Sequence, residues 1–141
     1  MISERVCDWM TANPIVVSPD TLLAEAAGLM QQHKIRKLPV QRDGKLVGIV
    51  TWGDIRKASA SDVSQLAGYE LDYLIDKIKI KRIMSTKPLT VTPDTSLAQA
   101  ADIMLQHKVG GLPVLDGDQL VGIITESDIL RALMSIGNRA A

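Results

Sequence analysis

The stretch Leu46-Val47-Gly48-Ile49-Val50-Thr51-Trp52-Gly53-Asp54-Ile55 decides the fold, because it returns 74 positions later as Leu120-Val121-Gly122-Ile123-Ile124-Thr125-Glu126-Ser127-Asp128-Ile129. In both copies an apolar run without alternation reads as a strand buried on both faces. A threonine with an aspartate three residues on then opens a helix. Working outward at the same offset, Leu38-Pro39-Val40 falls on Leu112-Pro113-Val114, and Gln32-His33-Lys34 on Gln106-His107-Lys108. Pro19-Asp20-Thr21 falls on Pro93-Asp94-Thr95, Pro14 on Pro88 and Met10 on Met84. About half of the aligned positions are identical, without a gap. A whole-domain repeat is therefore the first organising fact.

Each repeat parses alike. A short extended segment, Ile15-Val16-Val17 or Leu89-Thr90-Val91, ends at a proline. Asp20 or Thr21, and Asp94 or Thr95 in the second copy, then stand where a helix cap is wanted. The helix that follows carries Leu23, Ala26, Ala27 and Met30 on one face, and Leu97, Ala100, Ala101 and Met104 in the repeat. A strand around Leu38-Pro39-Val40 leads through Asp43-Gly44 into the buried strand, as its copy does through Asp116-Gly117-Asp118. The unit is β-α-β-β-α. Its small sheet has helices for only one face, so two copies are expected to pack together and complete a core. Repeat 1 is placed at 1–58, a linker at 59–83 and repeat 2 at 84–141. Apolar residues at helical spacing predict a linker helix over about 65–78. Tyr69 and Tyr73 stand on a face of their own, free for packing within or between molecules.

Composition excludes several classes of function. Sixteen basic and sixteen acidic side chains cancel, with no phenylalanine, two tryptophans and two tyrosines, so neither a phosphate-binding field nor base-stacking platforms suggest nucleic acid. Cys7 is the only cysteine, which rules out an internal disulfide or a cysteine-rich zinc site. The first ten residues carry charges where a signal peptide needs an apolar stretch, and no apolar run suits a membrane span. The expectation is a cytoplasmic protein with neither membrane nor nucleic-acid partner. There is no His-Glu-x-x-His, Walker loop or Gly-x-Ser-x-Gly, so no enzyme activity and no catalytic residue is expected.

The chemistry concentrates at Thr51/Asp54 and Thr125/Asp128. A strand running into a helix presents unpaired N–H groups and a positive dipole end to an anion such as phosphate. Threonine adds a hydroxyl, and aspartate a carboxylate that can accept both hydrogens of a ribose diol. Gly48 and Gly122 leave room for a flat base to approach the strand. The same Thr-x-x-Asp is equally a capping box that serves only its own backbone.

The order Pro-Asp-Thr-x-Leu-x-x-Ala, Leu-Pro-Val, Leu-Val-Gly-Ile-[VI]-Thr-x-x-Asp-Ile, met twice over residues 10–58 and 84–132, resembles the cystathionine-β-synthase (CBS) domain. The resemblance implies an α/β (α+β) tandem pair, a Bateman module, whose two repeats pack with pseudo-twofold symmetry and leave two clefts between them. It implies a regulatory adenine-nucleotide sensor, binding AMP, ADP or ATP as a regulatory ligand, acting on an unknown effector protein and assembling as a homodimer. The alternatives are S-adenosylmethionine or NAD as ligand, or a ligand-free dimerisation or adaptor module. On this resemblance Thr51 and Asp54 hold the ribose in one cleft, and Thr125 and Asp128 in the other. Ile15 lines the Thr125/Asp128 cleft and Leu89 the Thr51/Asp54 cleft. Ile35, Arg36 and Lys37, with Val109, Gly110 and Gly111, line the clefts too. Arg36 and Lys37 offer charge to a phosphate where Gly110 and Gly111 offer only backbone, or they are a solvated strand end. The expected better phosphate site is Thr125/Asp128 with Arg36 nearby.

Other candidates read structurally. His33 and His107 sit where they complement a helix C-terminus, and no second ligand lies at metal spacing. Trp9 and Trp52 are candidates for core packing or for stacking on adenine. Lys77-Ile-Lys-Ile-Lys-Arg82 reads as a solvated linker end.

Overall fold

A computed structural model describes residues 4–63 and 77–140. The linker helix expected over about 65–78 falls almost wholly outside the described residues, as do Tyr69 and Tyr73. The elements in chain order are α1 (Val6–Trp9), β1 (Thr11–Ala12), α2 (Leu23–His33), β2 (Lys37–Arg42), β3 (Lys45–Thr51) and α3 (Trp52–Val63). They continue after a 3-10 turn (Ile80–Arg82) with β4 (Ser85–Thr86), α4 (Leu97–His107), β5 (Gly111–Asp116), β6 (Gln119–Thr125) and α5 (Glu126–Ala140). The chain forms two compact units, Ile15–Lys87 and Met1–Pro14 with Pro88–Ala141.

In the unit Ile15–Lys87 the antiparallel order is β2-β3-β4. The β2–β3 hairpin turns on Asp43 and Gly44 at φ +53° and +77°, the left-handed pair that a type I′ turn needs and that Asp-Gly adopts easily. The expected first strand shrinks to one residue: Val17 bridges Val40 in parallel, its N–H on the Pro39 carbonyl at 3.1 Å. Helix α2 buries Leu23, Ala26 and Met30 against Leu38, Val40, Val50 and Ile55, with Ala27 half-buried at the edge of the stripe. Burying each large aliphatic chain contributes about 1.5–3 kcal/mol. Lys34 ends α2 at φ +56°, reversing the chain toward β2.

The other unit repeats this plan with the order β1-β6-β5. Helix α4 buries Leu97, Ala100 and Met104 against Leu112, Val114 and Ile124, and Val91 bridges Val114. Lys108 ends α4 at φ +55°.

The linear repeat boundaries at 58 and 84 follow sequence identity, whereas packing exchanges the leading segments. Residues 4–12 fold with the second repeat: Leu97 donates to the Glu4 carbonyl at 3.1 Å, Val6 to Thr95 at 2.8 Å, and β1 pairs with β6. Residues 78–86 do the same for the first: Leu23 donates to Ile78 and Ile80 to Thr21, both at 2.8 Å, and β4 pairs with β3. This corrects the expected helix caps. Leu22 and Ser96 occupy the cap positions, and only the Ser96 hydroxyl accepts, from Gln99 N–H at 3.0 Å. The helix N–H groups find backbone acceptors in the incoming segment instead. Thr21 and Thr95 close the preceding turns, accepting from the Ser18 and Thr92 N–H groups at 3.0 Å. Asp20 forms exposed ion pairs with Lys81 and Lys79 at 3.4 and 3.8 Å, and Asp94 with Arg5 at 3.1 Å.

Candidate functional site

Each motif sits where the central strand of its sheet runs directly into the following helix. In the first, the Thr51 N–H donates to Asp54 Oδ2 at 2.9 Å and the Asp54 N–H donates to Thr51 Oγ1 at 3.0 Å. This is a reciprocal capping box. The Trp52 N–H donates to the Arg36 carbonyl at 2.8 Å, so two of the first three N–H groups of α3 are already engaged. Gly53 N–H keeps no acceptor among the described residues. Asp54 is half-buried, and its Oδ1 takes no hydrogen bond among the described residues.

The second motif is closed further. The Thr125 N–H donates to Asp128 Oδ2 at 2.9 Å and the Thr125 hydroxyl donates to the same oxygen at 3.1 Å, while Asp128 N–H reaches Thr125 Oγ1 at 3.4 Å. Arg131 Nη2 donates to Asp128 Oδ1. Asp128 is 1% exposed, the one charged side chain buried in the core among the described residues. The Arg131 side chain is 60% exposed. Arg131 belongs to no motif of the sequence, although its place three residues after Asp128 puts both on one helix face. The equivalent residue after Asp54 is Lys57.

The remaining candidates divide between the units. Lys37 stands opposite Thr51 in the β2–β3 register, half-buried beside the exposed Arg36. A cavity of about 310 Å³ is lined by Met30, Gln31, Lys34, Ile35, Arg36 and Trp52. Ile15 packs on the core of the same unit. In the other unit Gly111 stands opposite Thr125, and the Gly110 carbonyl accepts from Glu126 N–H at 3.1 Å. Val109 packs on that core and Leu89 is exposed. A groove of about 480 Å³ there is lined by Trp9, Arg131, Met134, Ser135 and Asn138. The Trp9 indole N–H is buried without an acceptor among the described residues.

Gly48 and Gly122 have a different purpose from the one expected. A Cβ on Gly48 would lie 2.7 Å from the Ser85 carbonyl oxygen and 2.9 Å from Met84 Sδ. On Gly122 it would lie 2.9 Å from the Thr11 carbonyl oxygen and 2.5 Å from Met10 Sδ. The close approach belongs to the exchanged strands β4 and β1 and to the methionines that precede them. Trp52 and Trp9 both pack on their cores. His33 and His107 are exposed in the last turns of α2 and α4. Among the described residues no cluster of three His, Cys, Asp or Glu side chains could hold a metal, and no helix is long and apolar enough to cross a membrane.

Two small mixed units built on one plan, each with a Thr-x-x-Asp box at the mouth of a helix, define a tandem CBS pair. The CBS domain family model matches residues 6–61 and 80–135, and the chain belongs to that family. Both matches take in the exchanged leading segments. The chain is 32% identical over 138 residues to the CBS domain-containing protein YhcV of Bacillus subtilis (strain 168), covering 98% of this chain and 90% of YhcV. It is similar to CBSX2 in complex with AMP, with a TM-score of 0.79 and 31% identity over 94% of this chain and 98% of that one. The CBS domain pair of protein MJ0100, in complex with 5′-methylthioadenosine and S-adenosyl-L-methionine, gives a TM-score of 0.81 and 31% identity over the same shares, 94% and 98%.

Proposed function

We propose that this protein is a regulatory module that binds an adenine nucleotide, AMP, ADP or ATP, at its Thr-x-x-Asp motifs and passes the bound state to an effector protein by a change of conformation, without catalysis. The observation that carries the reading is chemical. The ligands named for CBSX2 and MJ0100 share an adenosine with a free 2′,3′-diol. In this chain each repeat keeps a carboxylate at the mouth of a helix, and Asp54 retains an oxygen without a partner among the described residues. A carboxylate that accepts both hydroxyls of a diol forms charge-assisted bonds of about 1.5–3 kcal/mol. Thr51, Asp54, Thr125 and Asp128 are the proposed ribose contacts. Arg36 and Lys37 supply the charge for phosphate, and Ile15, Ile35, Leu89, Val109, Gly110 and Gly111 the walls. The ligand acts only through its different affinity for two conformations.

A ligand at one hundred times its dissociation constant stabilises the binding form by about 2.7 kcal/mol. Thermal-shift measurements with millimolar AMP, ADP, ATP, S-adenosylmethionine and NAD therefore test the reading. An upward shift of several degrees with AMP, ADP or ATP supports it, a shift with S-adenosylmethionine or NAD alone assigns the site to that ligand instead, and none with any refutes it. A second reading, a ligand-free dimerisation or adaptor module, draws support from the closed capping boxes and from Leu130, Leu133 and Met134, exposed along one face of α5. It predicts a homodimer whose melting ignores all five ligands.

A further inference from the structure

We propose that Arg131 is a latch on the second motif, so that Thr51/Asp54 fills first and Thr125/Asp128 accepts a ribose diol only when Arg131 swings away. The proposal deepens the nucleotide-binding reading and rests on it. It begins with a difference between two motifs that the sequence presents as equals. Both aspartates spend Oδ2 on the backbone N–H of their threonine, at 2.9 Å in each case. They part at the other oxygen. Asp128 Oδ1 is held by Arg131, whereas Asp54 Oδ1 takes no hydrogen bond among the described residues. The hydroxyls differ too. The Thr125 proton goes to its own aspartate at 3.1 Å, while Thr51 Oγ1 only accepts, at 3.0 Å, and keeps its proton for a ligand.

A diol needs a carboxylate with an oxygen to spare. At Asp54 it finds one; at Asp128 it must displace a guanidinium. Release is within reach because the Arg131 side chain is 60% exposed and borders the groove of about 480 Å³, which leaves it room for another rotamer. Because Asp128 is buried, its pair with Arg131 outweighs a surface ion pair, and a ligand displaces it only by replacing the guanidinium bond with hydrogen bonds of its own. Buried Asp128 stays satisfied in either state, by Arg131 or by the diol. The order of filling is thus the reverse of the one expected from Arg36 and Lys37 alone. The module gains a second response at higher nucleotide concentration.

The test is calorimetric titration of AMP into wild-type protein and into the D54N, R131M and D54N/R131M variants, each checked for folding by circular dichroism. Wild type is expected to show two unequal sites, and D54N to lose the tighter. R131M is expected to tighten the remaining site in the D54N background by about tenfold, which is about 1.4 kcal/mol. Arg131→Lys keeps the charge without the planar fork and is expected to fall between. If wild type binds AMP but R131M leaves the weaker site unchanged or weaker, the latch is refuted and the nucleotide reading stands. Loss of the weaker site in D54N, with the tighter one intact, would refute the latch in the same way. If none of these proteins binds AMP, and ADP and ATP titrated in its place fail as well, both fall together.

Discussion

Replacing Gly48 by alanine tests the exchange of segments most sharply, because the neighbour it meets is backbone. The new Cβ would sit 2.7 Å from the Ser85 carbonyl oxygen, and β4 must retreat by about 0.7 Å to restore the 3.4 Å of ordinary contact. That movement loosens the Gly48–Thr86 and Ile49–Ser85 pairings that fasten β4 to β3. Overpacking of this kind costs about 1–3 kcal/mol, and a weakened ladder hydrogen bond about 1 kcal/mol. The expected loss is therefore about 2–4 kcal/mol, or a fall of about 1 M or more in the urea midpoint. Gly28 is the control. It lies exposed inside α2 with no atom within 4 Å of a built Cβ, so alanine there should gain about 0.5–1 kcal/mol. If Gly48→Ala behaves like Gly28→Ala in urea denaturation, β4 does not seat against β3 and the leading segments are not exchanged.

Asp128→Ala removes a fully buried carboxylate with three donors and should cost about 2–3 kcal/mol of stability, against about 1 kcal/mol for the half-buried Asp54→Ala. Equal losses in urea denaturation would contradict the difference between the two motifs. Asp20 should titrate below the ordinary aspartate range in NMR, held down by its hydrogen bond to Lys81 and by the charges of Lys81 and Lys79. A folded pKa depressed in this way adds stability above the unfolded value and loses it as pH falls through the folded one. Lys81→Ala should raise the Asp20 pKa toward normal, and an unmoved titration would show the pairing to be absent in solution.

The elements that were legible in the sequence are those specified by neighbours along the chain. The α2 and α4 stripes, the Asp43-Gly44 hairpin and the capping boxes all rest on residues within a few positions of one another. The exchange of leading segments was not legible. Glu4 and Ile78 play the same part through carbonyl oxygens, so nothing required their side chains to match. For the same reason Asp20 and Asp94, good caps by composition, yielded to backbone acceptors arriving from far along the chain. The glycines signalled close approach correctly but not what approaches. At the site, the box was readable and its closure by Arg131 was not. A helix face permits the Asp128–Arg131 contact, and only three-dimensional placement shows that Arg131 takes it up.

The reading of these motifs as sugar-binding sites comes down to whether a diol is what they hold. Competition of AMP with its 2′,3′-dideoxy analogue, measured by calorimetry on the wild-type protein, addresses this without any mutation. Losing charge-assisted bonds of about 1.5–3 kcal/mol predicts that the analogue binds about ten- to a hundredfold more weakly. Equal affinity for the two would mean that Asp54 and Asp128 serve only their helices.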